Sequence, residues 1–166
     1  AYLMTGDSKY QYIVDEIIDY VLRDMTSKEG GFYSAEDADS QGEEGVFYVW
    51  TTEDIKNILG EDNSKFIIDV LNIKDGGNWN DGFRHHTNIP HRTLSWDKIS
   101  KDFDMPIDEC KNLYEELRKR LFEHREKRVH PQKDDKILTD WNGLMISAIA
   151  RAAAVLNNKD YKLAAV

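Results

Sequence analysis

The chain has 166 residues, enough for one domain with a sizeable core. Its formal net charge of −9, from 22 Lys and Arg against 31 Asp and Glu, argues against a nucleic-acid partner, which needs clustered positive charge, and against anionic membranes. The composition is 40% hydrophobic, 32% charged and 11% aromatic, with no continuous apolar run long enough to span a bilayer. Cys110 is alone, so no internal disulfide is expected; the expected compartment is reducing, the cytoplasm by default, and no cofactor is implied. The first ten residues lack the basic and apolar regions of a secretory signal.

In chain order, residues 1–5 read as the tail of a helix and Gly6-Asp7-Ser8 as a stop followed by a new start. From 9 to 25 the apolar positions Tyr10, Ile13, Val14, Ile17, Ile18, Val21, Leu22 and Met25 recur at intervals of three and four, which predicts an amphipathic helix facing a core. Thr51 caps a predicted short helix ending near Leu59, with Gly60 as its stop, and 63–72 is a second short helix. Residues 73–105 read as a weakly regular stretch rich in Gly, Asn, His and Asp, ending at Pro106. A long charged helix is predicted over 107–127, with Cys110 on its apolar stripe. After a polar loop at 129–139, Thr139 or Asp140 caps a helix to about Leu156, apolar nearly all round and expected to be buried on most sides. Residues 1–10 and 152–161 align as a weak repeat: apolar helix, short polar turn, then a Tyr opening the next helix. Stacked helical hairpins have this signature, and it predicts a chain cut from a larger helical array.

The segment 30–50 stands out. Glu36, Asp37, Asp39, Glu43 and Glu44 fall between two glycine positions, Gly30-Gly31 and Gly45, and between the aromatic pairs Phe32-Tyr33 and Phe47-Tyr48, with Trp50 beyond. Two apolar strands around an acidic turn predict a hairpin holding carboxylates against a surface or cleft. Such carboxylates suit sugar recognition, acid/base work or a hard cation, and a plain polar turn remains open. A helix-loop-helix calcium loop fails, because its twelfth position is Tyr48 and strand follows instead of helix; no metal ligands are assigned. Around 134–143, Trp141 and Asn142 sit at a helix start that offers backbone N–H groups and an aromatic face; capping and core anchoring are the alternative. His85, His86, His91, His124 and His130 lack zinc spacing and read as exposed loop residues. Arg125 and Arg128 either pair with Asp134 and Asp135 or bind an anionic ligand; the pairing is the simpler expectation.

Three strings are long and specific: Gly-Gly-Phe-Tyr-Ser-Ala-Glu-Asp-Ala-Asp-Ser at 30–40, Glu-Glu-Gly-x-Phe-Tyr-Val-Trp at 43–50, and Asp-Asp-Lys-Ile-Leu-Thr-Asp-Trp-Asn-Gly-Leu-Met at 134–145. Together they closely resemble the thioredoxin-domain-containing family typified by a spermatogenesis-associated protein. The resemblance runs through almost the whole chain, including Leu22-Arg23-Asp24-Met25 and Gly77-Asn78-Trp79. It implies a thioredoxin-like domain followed by a long helical part similar to the (α/α)6 toroid of sugar 2-epimerases and six-hairpin glycosidases, of which this chain matches a middle piece. The chain has no Cys-x-x-Cys, so redox chemistry is not carried over to it.

The expected fold is therefore mainly α: a partial (α/α)6 toroid of helical hairpins in one domain, 1–166, with a small β-hairpin insertion at about 30–50. A truncated ring also predicts exposed apolar helix faces. By fold analogy the ring's cleft would use Asp37 and Asp39 as acid/base or hydroxyl-accepting groups, and Glu36, Asp140, Trp141 and Asn142 for binding, with Trp141 as the stacking face. Two functions compete: a module that binds or modifies a carbohydrate, and a non-catalytic helical scaffold or interaction module for a thioredoxin-like domain absent from this chain. A cation site at the hairpin is a smaller third.

Overall fold

The computed structural model describes residues 1–79 and 85–166, so residues 80–84 of the expected irregular stretch lie outside the described residues. The chain divides into two compact units, one formed by 1–37 with 132–166 and the other by 38–131. Among the described residues the architecture is mainly helical, with eight helices and two small two-stranded antiparallel sheets. No helix among them is long and apolar enough to cross a membrane.

The first unit contains α1 (Tyr2–Thr5), α2 (Ser8–Asp24), β1 (Ala35–Glu36), β4 (Lys133–Asp134), α7 (Thr139–Leu156) and α8 (Lys159–Ala164). Gly6 ends α1 at φ 67°, in the left-handed region that a residue without Cβ adopts freely, and the Asp7 side chain then caps α2 by accepting from the Lys9 N–H at 3.0 Å. The same joint recurs at the other end of the chain. Asn157 turns α7 off at φ 52°, and Asn158 caps α8 by accepting from the Asp160 and Tyr161 N–H groups. The core of this unit is small: Ile18, Val21, Phe32, Ile149, Ala153 and Tyr161.

Two expectations change here. The α7 helix is not buried on most sides: only Ile149 and Ala153 are buried, while Leu144 is 72% exposed. Its principal packing partners are α2 and α8, which cover one stripe where Met145, Ala152 and Leu156 also pack, and leave Trp141, Leu144 and Ile146 exposed. Nor does Thr139 or Asp140 cap it. Both lie inside the helix, Leu138 is the N-cap without a side-chain bond, and Asp140 accepts instead from the N–H of its own neighbour Trp141 at 3.0 Å.

The second unit holds β2 (Asp39–Ser40), β3 (Glu43–Glu44), α3 (Thr52–Leu59), α4 (Glu61–Val70), α5 (Trp96–Asp102) and α6 (Ile107–Arg125). Thr51 and Asp54 form a reciprocal capping box at the start of α3, each side chain accepting the other's N–H at 3.0 Å. Trp50, Ile55, Ile67, Val70, Ile99, Cys110 and Leu117 belong to one continuous core that joins all four helices. The stretch 73–105 is less irregular than its composition suggests, because Ser95 caps α5 and Ile99 is fully buried. Asn88, also fully buried, straightens the rest. Its Oδ1 accepts the Lys74 N–H at 2.8 Å, while Nδ2 donates to the Lys74 and Trp50 carbonyls at 3.1 and 3.2 Å. A buried amide with its donors and acceptor satisfied orders chain that has little apolar periodicity of its own.

The acidic hairpin forms differently from expectation. Its rungs are the acidic residues themselves, Asp39 opposite Glu44 and Ser40 opposite Glu43, joined through Gln41 at φ 56° and Gly42 at φ 81°. Two consecutive left-handed residues make the tight turn whose twist suits an antiparallel pair, so pairing begins at once around it. The aromatic residues Phe47 and Trp50 are buried beyond the hairpin in turn and bridge conformations, and Phe32 makes only an isolated bridge with Thr26.

Candidate functional site

Two of the three specific strings meet physically in the first unit. β1 of the first string pairs antiparallel with β4 of the other, Ala35 opposite Asp134 and Glu36 opposite Lys133. The pairing extends on both sides: Ser34 donates to the Asp134 carbonyl from its N–H and from its hydroxyl, each at 3.1 Å, and the Asp37 N–H donates to the Gln132 carbonyl at 2.8 Å. Asn142, in the first turn of α7, then grips the backbone of Phe32 at two points. Its Oδ1 accepts the Phe32 N–H at 2.7 Å and its Nδ2 donates to the Phe32 carbonyl at 2.9 Å, with the second Nδ2 proton on Leu138 O at 3.0 Å. No other common side chain offers a donor and an acceptor at that spacing on so short a stem, apart from the longer Gln. A Cβ at Gly31 would lie 2.7 Å from Cδ1 of Ile137, so a larger residue there would require the exposed Ile137 side chain to move.

Lys133 adds an electrostatic tie that the sequence did not single out. Its Nζ donates to the Asp24 carbonyl, one of the orphan acceptors at the end of α2, and lies 3.6 Å from Oε2 of Glu36. Glu36 is thereby held by an ion pair with its side chain only 10% exposed. At the surface nearby, Lys136 donates to Asp134 from Nζ at 2.9 Å and from its N–H, which holds the Asp134 carboxyl below its ordinary range and raises the lysine in return.

The expected binding and catalytic residues therefore separate by role. Glu36 and Asn142 are engaged in the joint. Asp37 contributes its backbone to it and exposes its side chain. Asp140 is exposed and accepts from Trp141, and the Trp141 ring is 52% exposed. Asp39 lies on β2 in the second unit, exposed and directly opposite Glu44, so two like charges share one rung. Among the described residues no three His, Cys, Asp or Glu side chains converge on a common point that could hold a metal ion.

A second polar feature was only half anticipated. Arg128 is engaged within the second unit. Its Nη1 donates to the carbonyls of Phe47 and Val49 at 2.9 and 2.8 Å, and its guanidinium lies 4.0 Å from the centre of the Trp50 ring. Arg125 stacks over Phe47, Tyr48 and Phe122, and its nearest carboxylate is Glu126 at 3.4 Å. Burial pushes the Arg128 guanidinium down from its ordinary value, with Asp54 opposing and Arg125 adding to the shift. The equal three-residue spacing of Arg125 and Arg128 against the aromatic run 47–50 is the signal that identifies this latch.

No family model matches the chain. It is 30% identical over 176 aligned positions to spermatogenesis-associated protein 20 of Homo sapiens, with 94% of the chain aligned, and 30% identical to the same protein of Mus musculus over the same share. An uncharacterized protein of Caenorhabditis elegans is 28% identical over 91% of the chain. The chain is thus homologous, over nearly its whole length, to proteins of the kind its strings resemble, and it spans 22% of the length of the human and mouse relatives it matches.

Proposed function

We propose that the chain acts as a non-catalytic helical scaffold whose first unit is completed by further helical hairpins, as a section of an (α/α) toroid. The observation that carries this reading is the outward apolar surface of the first unit: Leu144 and Ile146 on α7, Ile13 and Ile17 on α2. Burying a fully exposed side chain of this size is worth about 1.5–3 kcal/mol, and these four, 41–72% exposed, would gain the corresponding part of it. The repeated joint supports it as well, since α1–Gly6–α2 and α7–Asn157–α8 are the same helix, left-handed residue, capped helix device. The strings that look most like a site are, in this reading, the joint between hairpins: Asn142 and Glu36 hold backbone and strand instead of a ligand. The thioredoxin-like domain implied by the resemblance is a further partner for the same surface. A fluorescent hydrophobic dye tests the reading. The chain should bind it, and Leu144→Gln with Ile17→Gln should lower the signal measurably without lowering thermal stability. A chain that binds no dye, or a double variant that binds as much, overturns it.

A second reading rests on Trp141. An exposed indole beside the Asp140 carboxylate is the pairing of stacking face and hydroxyl acceptor that a sugar ring uses. Asp37, in the same unit, would then supply a further exposed carboxylate. Titration with a panel of neutral sugars and sugar phosphates should quench tryptophan emission saturably, with the response absent in Trp141→Ala. A flat titration ends this reading and leaves the scaffold reading untouched.

A further inference from the structure

We propose that Asn142 is a chemical modification site, whose side-chain amide deamidates through the backbone of Gly143 whenever the joint with Phe32 opens. Asn142 is the only asparagine of the chain that is followed by glycine. That order is the reactive one, because a residue without Cβ leaves its backbone nitrogen unshielded and lets the chain reach a cyclic geometry. The Gly143 nitrogen gives up its proton and forms a bond to Cγ of Asn142. The Cγ–Nδ2 bond breaks, and Nδ2 leaves as ammonia carrying that proton. Water then opens the resulting cyclic imide at either carbonyl, giving aspartate or β-linked isoaspartate, with no oxidant or reductant involved.

The closed joint blocks this reaction at both reacting groups. Nδ2, the leaving group, donates to the carbonyls of Phe32 and Leu138 at 2.9 and 3.0 Å, and Oδ1 accepts the Phe32 N–H at 2.7 Å. The amide cannot turn toward the Gly143 nitrogen while these bonds last. Gly143 itself lies inside α7, where its N–H belongs to the helix ladder. Neither a positive φ nor a close approach accounts for glycine there, since a Cβ would meet nothing within 4 Å among the described residues. Glycine weakens a helix relative to alanine, and what it supplies at this position is the unshielded nitrogen. Deamidation makes an opening permanent. Aspartate still accepts from the Phe32 N–H, but it sets a carboxylate oxygen where Nδ2 lay, against two carbonyl oxygens that have lost their donor. Isoaspartate adds a backbone carbon to the first turn of α7 and breaks the ladder there. The reaction needs only the joint and is independent of any partner on the apolar surface.

The test incubates the full chain at mildly alkaline pH, in buffer and in denaturant, and follows amide-to-acid conversion residue by residue with mass spectrometry. In denaturant Asn142 should convert ahead of every other asparagine. In buffer it should convert at least about tenfold more slowly, since only the open fraction reacts. Lys133→Ala removes a tie of the β1–β4 pair without touching α7. It should speed conversion of Asn142 in buffer several-fold, leave the rate in denaturant unchanged, and leave Asn63 of α4 unaffected. Gly143→Ala, for which the helix has room, should slow conversion in denaturant at least about tenfold. Asn142→Asp mimics one product and should lower the hydrogen-exchange protection of the Ser34 and Asp37 amides, which donate to Asp134 and Gln132. No conversion in denaturant, equal rates in buffer and denaturant, an unaltered rate in Gly143→Ala, no acceleration or an equal acceleration at Asn63 in Lys133→Ala, or full protection in Asn142→Asp would each overturn the site.

Discussion

The two units solve the same problem to different extents. The second unit, 38–131, gathers four helices around a continuous core, and among its described residues only Ile89 and Val129 are large apolar side chains left exposed. The first unit leaves twelve such side chains exposed, spread over α1, α2, α7, α8 and the connecting chain. Its order comes from polar clamps instead: Asn142 on Phe32, Lys133 on the end of α2, Tyr161 on Asp15. The difference teaches that a helical hairpin can be fixed in conformation by hydrogen bonds while its apolar surface still lacks a partner. Burial and specificity are separate contributions, and here they are divided between the units.

The sharpest break of this contrast is a pair of truncations. Leu117→Ala removes a fully buried side chain from the second core and should destabilise the protein by about 3 kcal/mol, because the lost transfer energy adds to that of the cavity left behind. Leu144→Ala removes the same atoms from the exposed face of α7 and should change stability by less than about 0.5 kcal/mol. Thermal unfolding of the full chain compares them directly. Similar losses for both would mean that α7 is covered in solution, for instance by self-association.

Next in size is Asn142→Ala. It leaves the Phe32 N–H and carbonyl without their partners in a half-buried position, an expected loss of about 2 kcal/mol confined to the first unit. Hydrogen exchange should show the Phe32 amide losing protection while the α4 and α6 amides keep theirs. Uniform loss across both units would show that the two respond as one cooperative body.

The sequence made the helices legible because their signals are local. The three-and-four spacing before Met25, Thr51 with Gly60, and the charged 107–127 stretch each announce an element that the structure contains, within a few residues. The pairing of β1 with β4 was not legible, since two-residue strands nearly a hundred positions apart carry no periodicity. The resemblance linked those strings as a fingerprint, and the structure supplies the physical link through Asn142. Missed altogether were the clamps: Asn88 sits in a polar stretch that reads as loop, and Lys133 looks like any surface lysine. An amide or ammonium that holds distant backbone has no sequence pattern, because its partners are carbonyls and N–H groups common to every residue.

The smallest expected effect concerns the last clamp. Tyr161 is buried in the first unit and donates to Asp15 Oδ1 at 2.7 Å, joining α8 to α2. Burial, then the bond to Asp15 and the nearby charge of Asp19, raise its phenol well above the ordinary tyrosine value of 10.0. The folded state therefore keeps a proton that the unfolded state releases. That contribution is fully present below pH about 10 and declines as pH rises through the folded value. Tyr161→Phe should lower stability at neutral pH by about 1 kcal/mol, the net worth of one intramolecular hydrogen bond, and should flatten the alkaline fall seen in the parent chain. Denaturant unfolding at neutral pH and above pH about 10 measures both. If the parent and the variant fall alike at high pH, Tyr161 is held by packing alone, and the first unit has one clamp fewer than its hydrogen bonds suggest.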